Sequence, residues 1–176
     1  MRTTRKGLPV NKCLVLGIVM CAVTGYACAA ESPGQAGTPA TTPHQIVTRA
    51  GEQAPTYGAA EYFTGRVRVD PLFSPNESIN ASGAYVTFEP GARSAWHTHP
   101  AGQRLVVISG IGLTQEWGQS VQVIRQGDVV WCPPRVKHWH GAAPNSAMTH
   151  LAVGSSVDGK SVNWMEKVTD EQYNAR

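Results

Sequence analysis

Residues 91–110 read GARSAWHTHPAGQRLVVISG. Two histidines, His97 and His99, stand two apart, and Gln103 follows four later. In an extended strand, residues i and i+2 share a face, so both imidazoles project into the same space. Pro100, Ala101 and Gly102 do not continue a strand, so the chain turns and re-enters with Gln103. Further on, PRVKHWHG repeats the arrangement with His138 and His140 on one face. Imidazoles and an amide oxygen converging from separate strands have the chemistry of a metal site for a borderline or hard divalent ion.

Working outward, the chain alternates short apolar runs with Gly and Pro turns. Strands are expected at Gln45–Arg49, Tyr62–Asp70, Ala84–Phe88, Arg104–Ser109, Leu113–Glu116, Ser120–Arg125, Asp128–Cys132, His138–His140 and Thr149–Val153. Glu52–Glu61 and Pro71–Asn80 read as loops. Within Ser120–Arg125, Val121 and Val123 are set against Gln122 and Ile124. Many short strands with regular turn signals argue an all-β sandwich or barrel. Helix signal is confined to Thr169-Asp170-Glu171-Gln172, an N-cap followed by acidic first-turn residues, which predicts one short C-terminal helix. There is no internal repeat of fixed period and no second domain.

The first 30 residues form a separate unit. Arg2, Arg5, Lys6 and Lys12 give a basic start, Leu14–Val23 is mostly apolar, and Ala27-Cys28-Ala29 closes it with small residues. That is a Sec-type secretory signal pattern, and the apolar run is too short to span a bilayer. Lipoprotein anchoring at Cys28 is disfavoured by Gly25, which stands where such a signal carries a branched apolar residue. Residues 31–45, opening ESPGQAGTPATTP, lack large apolar side chains and read as a flexible linker. The folded domain is then 46–176, exported to the periplasm or beyond.

Removing the leader changes the charge. The chain has 15 Lys+Arg and 12 Asp+Glu; four of the basic residues lie in the leader and no acidic one does, which leaves a net charge of −1. No basic cluster survives to hold nucleic acid. Of the four cysteines only Cys132 lies outside the leader, so no internal disulfide forms. Cys132 is expected to be buried in its strand, and Trp96, Trp131 and Trp139, alternating with the metal-facing residues, to pack in the core or an interface.

The motif Gly91-x5-His97-x-His99-x3-Gln103-x6-Gly110 resembles the first motif of the cupins, with Gln where many members carry Glu. Gly127-x5-Pro133-x-Arg135-x2-His138 resembles the second, with Arg135 at a position where the family has Gly. The resemblance covers roughly residues 60–175 and implies a single double-stranded β-helix, or jelly-roll barrel. Segments such as GDVVWCPP, KHWHGAAP and MTHLAV are similar to small bacterial cupins that include manganese-dependent hydroxynitrile lyases. That likeness implies His97, His99, Gln103 and His138 as metal ligands. It implies His140 and His150 as catalytic pocket histidines, and Ala84 and Val86 as pocket lining. Phe88 and Leu113 complete the expected apolar wall.

Three neutral imidazoles and a neutral amide would leave a divalent ion its full charge, which strengthens it as a Lewis acid. Such a set suits manganese, iron, nickel, cobalt or zinc, and the resemblance implies Mn2+, with Fe2+, Ni2+, Co2+ and Zn2+ as alternatives. The lack of thiolate and carboxylate argues against a closed structural zinc site or a calcium cage. The resemblance implies a small carbonyl or cyanohydrin-like substrate, a cyanohydrin being cleaved to aldehyde or ketone plus cyanide. Competing readings are an iron-type dioxygenase and a non-enzymatic periplasmic binder of metal or a small molecule. Family likeness also implies a homodimer or homotetramer, paired through edge strands.

Overall fold

A computed structural model describes residues 44–175; the leader and most of the linker lie outside the described residues. The chain forms β1 (Thr56–Tyr57), β2 (Phe63–Thr64), β3 (Val67–Phe73), β4 (Ser82–Phe88), β5 (Arg93–Ser94) and β6 (His97–Thr98). There follow β7 (Gln103–Glu116), β8 (Gln122–Arg125), β9 (Val129–Cys132), β10 (His138–Ala142), β11 (Met148–Gly154) and β12 (Asn163–Trp164). A single short helix, α1 (Asp170–Asn174), ends the described chain. All pairings are antiparallel, in the order β1-β3-β4-β11-β7-β10-β5-β2, with β8 and β9 added to β7 and β6 bridging β10 and β12. The sheet curls on itself into the all-β jelly-roll barrel expected from the sequence.

β7 is the strand that makes the curl. The sequence pattern predicts two strands here, Arg104–Ser109 and Leu113–Glu116; the structure has one strand of 14 residues. Its first half pairs β11 and β9, and its second half pairs β10 and β8. Between them the register slips: Val107 faces His150, yet Ser109 faces the adjacent Thr149. Ile108 is therefore an extra residue, a β-bulge, and it exchanges the inner and outer faces of everything after it. Gly110 follows at φ 79°, where a Cβ would stand 1.9 Å from the Ala147 carbonyl oxygen. Only glycine lets β7 cross from one sheet to the other at that corner.

The bulge has direct consequences for packing. Leu105 and Val107 point inward, with Phe88, Val86, Met148 and Ile124 in the barrel core. Leu113, which unbroken alternation would place with them, points outward. It packs beneath the C-terminal segment with Trp96, Trp139, Val168 and Tyr173. In β8 the inward residue is Ile124, and Val123 is 42% exposed. Gln45–Arg49 forms no strand, and β1 lies inside the stretch read as loop. β3 runs on to Phe73 past Pro71, where a register shift absorbs the missing donor.

The C-terminal segment is fastened from below. Tyr173 donates its hydroxyl to the Ala142 carbonyl at 2.7 Å. The buried Arg93 guanidinium donates to the Val168 carbonyl and to Asp170, and lies 4.6 Å from the Tyr173 ring. Thr169 and Gln172 form a reciprocal capping box, the one expected from the sequence.

The corner glycine carries a stability prediction. Gly110→Ala should destabilise the domain by about 3 kcal/mol or more, because both a positive φ and a backbone clash oppose it. Gly118→Ala, also at positive φ but with open space around a Cβ, should cost about 1 kcal/mol. Urea unfolding midpoints of the two variants check the difference.

Candidate metal centre

Three strands deliver the histidines. His97 opens β6 and stands opposite both His138 of β10 and Trp164 of β12. His138 is delivered by the turn PPRVKH. There Arg135 takes the left-handed conformation that glycine adopts most easily (φ 65°), and its N–H donates to the His99 carbonyl at 2.9 Å. The Arg-for-Gly departure thus keeps the turn, at a conformational cost on the order of 1 kcal/mol. Gln103 re-enters on β7 after the Pro100–Gly102 turn, as expected.

Backbone carbonyls decide the chemistry of the rings. His97 Nδ1 lies 2.9 Å from the Ala95 carbonyl oxygen, His138 Nδ1 lies 2.9 Å from that of Val136, and His99 Nδ1 lies 2.7 Å from that of Ser161. A carbonyl only accepts, so each Nδ1 carries the proton and each neutral ring presents Nε2 as a bare lone pair. His99 Nε2, His138 Nε2 and Gln103 Oε1 are buried and have no hydrogen-bond partner among the described residues. Orphaned buried acceptors of this kind are the signature of a cation site rather than of a packed core. The ring centroids of His97, His99 and His138 lie 4.4 to 5.5 Å apart.

His140 adds a second feature. One ring nitrogen of His97, His138 and His140 each lies within 4.8 Å of the others, so proximity alone selects these three. Hydrogen bonding separates them. His140 Nδ1 is 3.2 Å from His150 Nε2, so one proton is shared in an imidazole–imidazole bond. His97, His99, Gln103 and His138 offer three imidazole nitrogens and an amide oxygen, donor types that a divalent ion takes, and His140 forms a hydrogen-bonded pair with His150. Phe88 packs against both, with centroids at 5.7 and 5.6 Å.

All five imidazoles are neutral near pH 7. Burial pushes His138 down to about 4 and His150 to about 3. Burial, followed by neighbouring imidazoles, holds His97 and His140 well below the usual histidine range. Burial also lowers His99. Neutral rings are what a metal requires of its nitrogen ligands.

A cavity of about 210 Å³ opens onto His97, His99, His140, His150 and Gln103. Val86 lines it, as expected. Its remaining apolar wall is Phe63, Val69, Ala152, Val162 and Trp164, none of which was anticipated. Val69 could have been read from its alternation with Val67; Trp164 carries no local signal, since it arrives through β12. Three expectations need correction. Ala84 faces inward but does not line the cavity; its cross-strand partner Ala152 does. Phe88 is fully buried beneath the histidine pair. Leu113 is on the far side of the sheet, for the bulge reason given above. A larger hollow of about 410 Å³, between β8, β9 and the end of β10, touches His138 from the other side.

A closed antiparallel barrel with inward imidazoles of fixed tautomer defines a metal-binding β-barrel of the jelly-roll class. Comparison with known proteins agrees. A family model described as a cupin domain matches residues 84–154. The chain is 58% identical over 127 residues to a Granulicella tundricola protein named (R)-mandelonitrile lyase, covering 72% of this chain and 97% of that one. A cupin-like protein from Thermotoga maritima superposes with a TM-score of 0.63 at 39% identity, covering 73% of this chain and 95% of that one. A cupin-2 domain protein from Rhodospirillum rubrum shares the fold at 21% identity, with a TM-score of 0.57 and coverage of 75% and 86%. The chain belongs to the cupin family, close to the Granulicella lyase.

The buried neutral histidines predict acid lability of the metal-free protein. An unfolded imidazole protonates near pH 6.5, whereas these stay neutral until the pH reaches their lower folded values. Stability is therefore lost as pH falls below about 6.5, by about 1.4 kcal/mol per pH unit for each ring that stays neutral. Urea midpoints of chelator-treated protein, taken from about pH 8 to about pH 5, should fall along that slope. A flat profile would show that the rings titrate freely.

Proposed function

We propose that this cupin is a metal-dependent lyase that splits cyanohydrins into aldehyde or ketone plus cyanide, and runs the reverse addition. The observation that carries the reading is the meeting of two constellations: His97, His99 and Gln103 line one cavity together with the hydrogen-bonded His140–His150 pair, and the His138 ring lies 4.4 Å from that of His97. The 58% identity to a protein named for this activity supports it. A divalent ion held by the four ligands, manganese by preference, would supply Lewis acidity to a substrate oxygen and acidify a hydroxyl that a buried imidazole alone is too weakly basic to deprotonate.

The chain's own residues do the rest. Phe63, Val69, Val86 and Trp164 bury the carbon skeleton of the substrate and exclude water. His140 takes the hydroxyl proton while the bond from carbon to the nitrile breaks and cyanide leaves with the electron pair. His150, bonded to His140, holds that ring in place and shares the arriving charge. Because burial disfavours the charged form, His140 returns the proton to cyanide, which leaves as the neutral acid. Ser161 contributes through its carbonyl, which orients His99, and its segment also borders the cavity.

Purified protein loaded with manganese should release cyanide from mandelonitrile, lose the activity on chelation and regain it on re-addition. His97→Ala should lose both the metal and the activity. His140→Asn should keep the metal and lower kcat by about 100-fold or more. Bound metal with no cleavage, together with oxygen uptake on a diketone or catechol, would replace the lyase reading with a dioxygenase one.

A further inference from the structure

Glycine weakens a strand, and where one stands it marks a bulge, a tight bend or a place where a ligand or another backbone comes close. Every glycine among the described residues but one has a backbone or packing reason. Each either takes a positive φ or would bring a Cβ within 3.0 Å of a neighbour. Gly154 is the exception. Its φ is outside the left-handed region, and the one atom a Cβ there would meet within 4 Å is the Gly102 carbonyl oxygen, at 3.6 Å. It is paired on both sides, with Ser82 of β4 and Gln103 of β7, and the register runs through it without a shift. The fold therefore does not ask for glycine at this position.

The cavity does. β11 carries His150, Ala152 and Gly154 on one face, about 6.6 Å from one to the next, and all three line the cavity. Along that line the side chain shrinks from imidazole to methyl to hydrogen. Burial falls in the same direction. His150, Val86, His97 and His140 are buried, whereas Ala152, Gly154, Ser82 and Val162 are half-buried and Ser161 is exposed. The cavity is closed at the histidine pair and open at Gly154. Two unpartnered polar atoms face a ligand there: Nε2 of His99, a residue only 7% exposed, and Oε1 of Gln103, which stands beside Gly154 across the strands. Volume makes the opening matter. About 210 Å³ is below the roughly 300–1,000 Å³ of pockets that enclose drug-sized ligands, so a longer skeleton must leave through an end. We infer that Gly154 is a specificity-determining position: it holds this end open, so that the site takes carbonyl compounds and their cyanohydrins whose apolar skeleton is longer than the cavity. The reacting carbon lies at the histidines, and the skeleton runs out over Ala152 and Gly154 past Val162. A side chain at position 154 stands in that exit. The cyanohydrin half of the inference rests on the lyase reading; the open end rests on the geometry.

Calorimetric titration of the manganese-loaded protein with two ketones tests this: acetophenone, and 4-phenylbutan-2-one, whose ring stands two carbons further from the carbonyl. The wild type should bind the longer ketone at least as tightly as the shorter one, a result that depends on no variant folding. Gly154→Leu should weaken the longer ketone at least about 10-fold more than acetophenone, because the new side chain clashes with one ligand and not with the other. The same ratio should appear in kcat/KM for the two matching cyanohydrins. Gly154→Ala should keep or raise the urea midpoint, since neither φ nor a clash opposes the methyl group. A wild type that rejects the longer ketone overturns the inference. So does a Gly154→Leu protein that binds both ketones as before or loses both equally, and so does a lowered midpoint in Gly154→Ala, which would make the glycine structural. If neither cyanohydrin is cleaved while the ketone titrations come out as expected, the lyase reading fails and the open end stands.

Discussion

The site depends on three hydrogen bonds from imidazole to backbone carbonyl. Ala95 and Val136 each hold a histidine two residues further on, and Ser161 reaches His99 from a segment 62 residues away. Each bond fixes one tautomer and leaves one lone pair for a cation. Oriented ligands of this kind commonly use a carboxylate partner, which raises ligand basicity and adds negative charge. Here the orienting groups are neutral, and so is the fourth candidate ligand, Gln103. The centre therefore adds no charge of its own, and whatever it binds keeps its charge undiminished. The barrel must supply those carbonyls at fixed places, which explains why the His138 turn tolerates Arg135 in a left-handed conformation: the turn also ties itself to the His99 carbonyl.

Burying neutral imidazoles with unsatisfied nitrogens works against folding, since unpaired buried acceptors cost about 1–3 kcal/mol each. The surrounding core offsets this. Phe88 backs the His140–His150 pair, and Trp164 sits between Tyr62, Phe63 and His97 with centroid separations of 4.9 to 5.3 Å. The same aromatic groups thus support the metal centre and wall the cavity. A change at Trp164 would act on both, so pocket shape and ligand position are not independent in this barrel.

The candidate ligands are legible in the sequence because most of them are local. His97, His99 and Gln103 lie within seven residues, and strand periodicity with a Pro-Ala-Gly turn suffices to bring them together. His138 and His140 follow by the same rule, and Gly127, Pro133 and His138 keep the spacing of the second motif. What failed was periodicity carried too far. Alternation through residues 103–116 places Leu113 with Leu105 and Val107, but the extra residue at Ile108 reverses the faces. A bulge is set by long-range pairing with β11, and nothing in LVVISGIG announces it. β8 failed differently: VQVI is apolar on both faces, so its pattern does not choose a side. Trp164 and Ser161 were invisible because β12 and its preceding turn belong to no periodic run.

Proton storage distinguishes this centre from one built for hydrolysis. Metal hydrolases keep a carboxylate or an accessible histidine to hold a proton between steps. Among the described residues, the cluster that could hold a metal is His97, His138 and His140, and burial lowers these rings and those of His99 and His150. Beside His140 stands the neutral ring of His150, bonded to it at 3.2 Å. A proton on His140 leaves as soon as a stronger base appears. Such a site suits passing a proton on rather than storing it. It suits poorly a reaction in which the enzyme must retain the proton while products exchange.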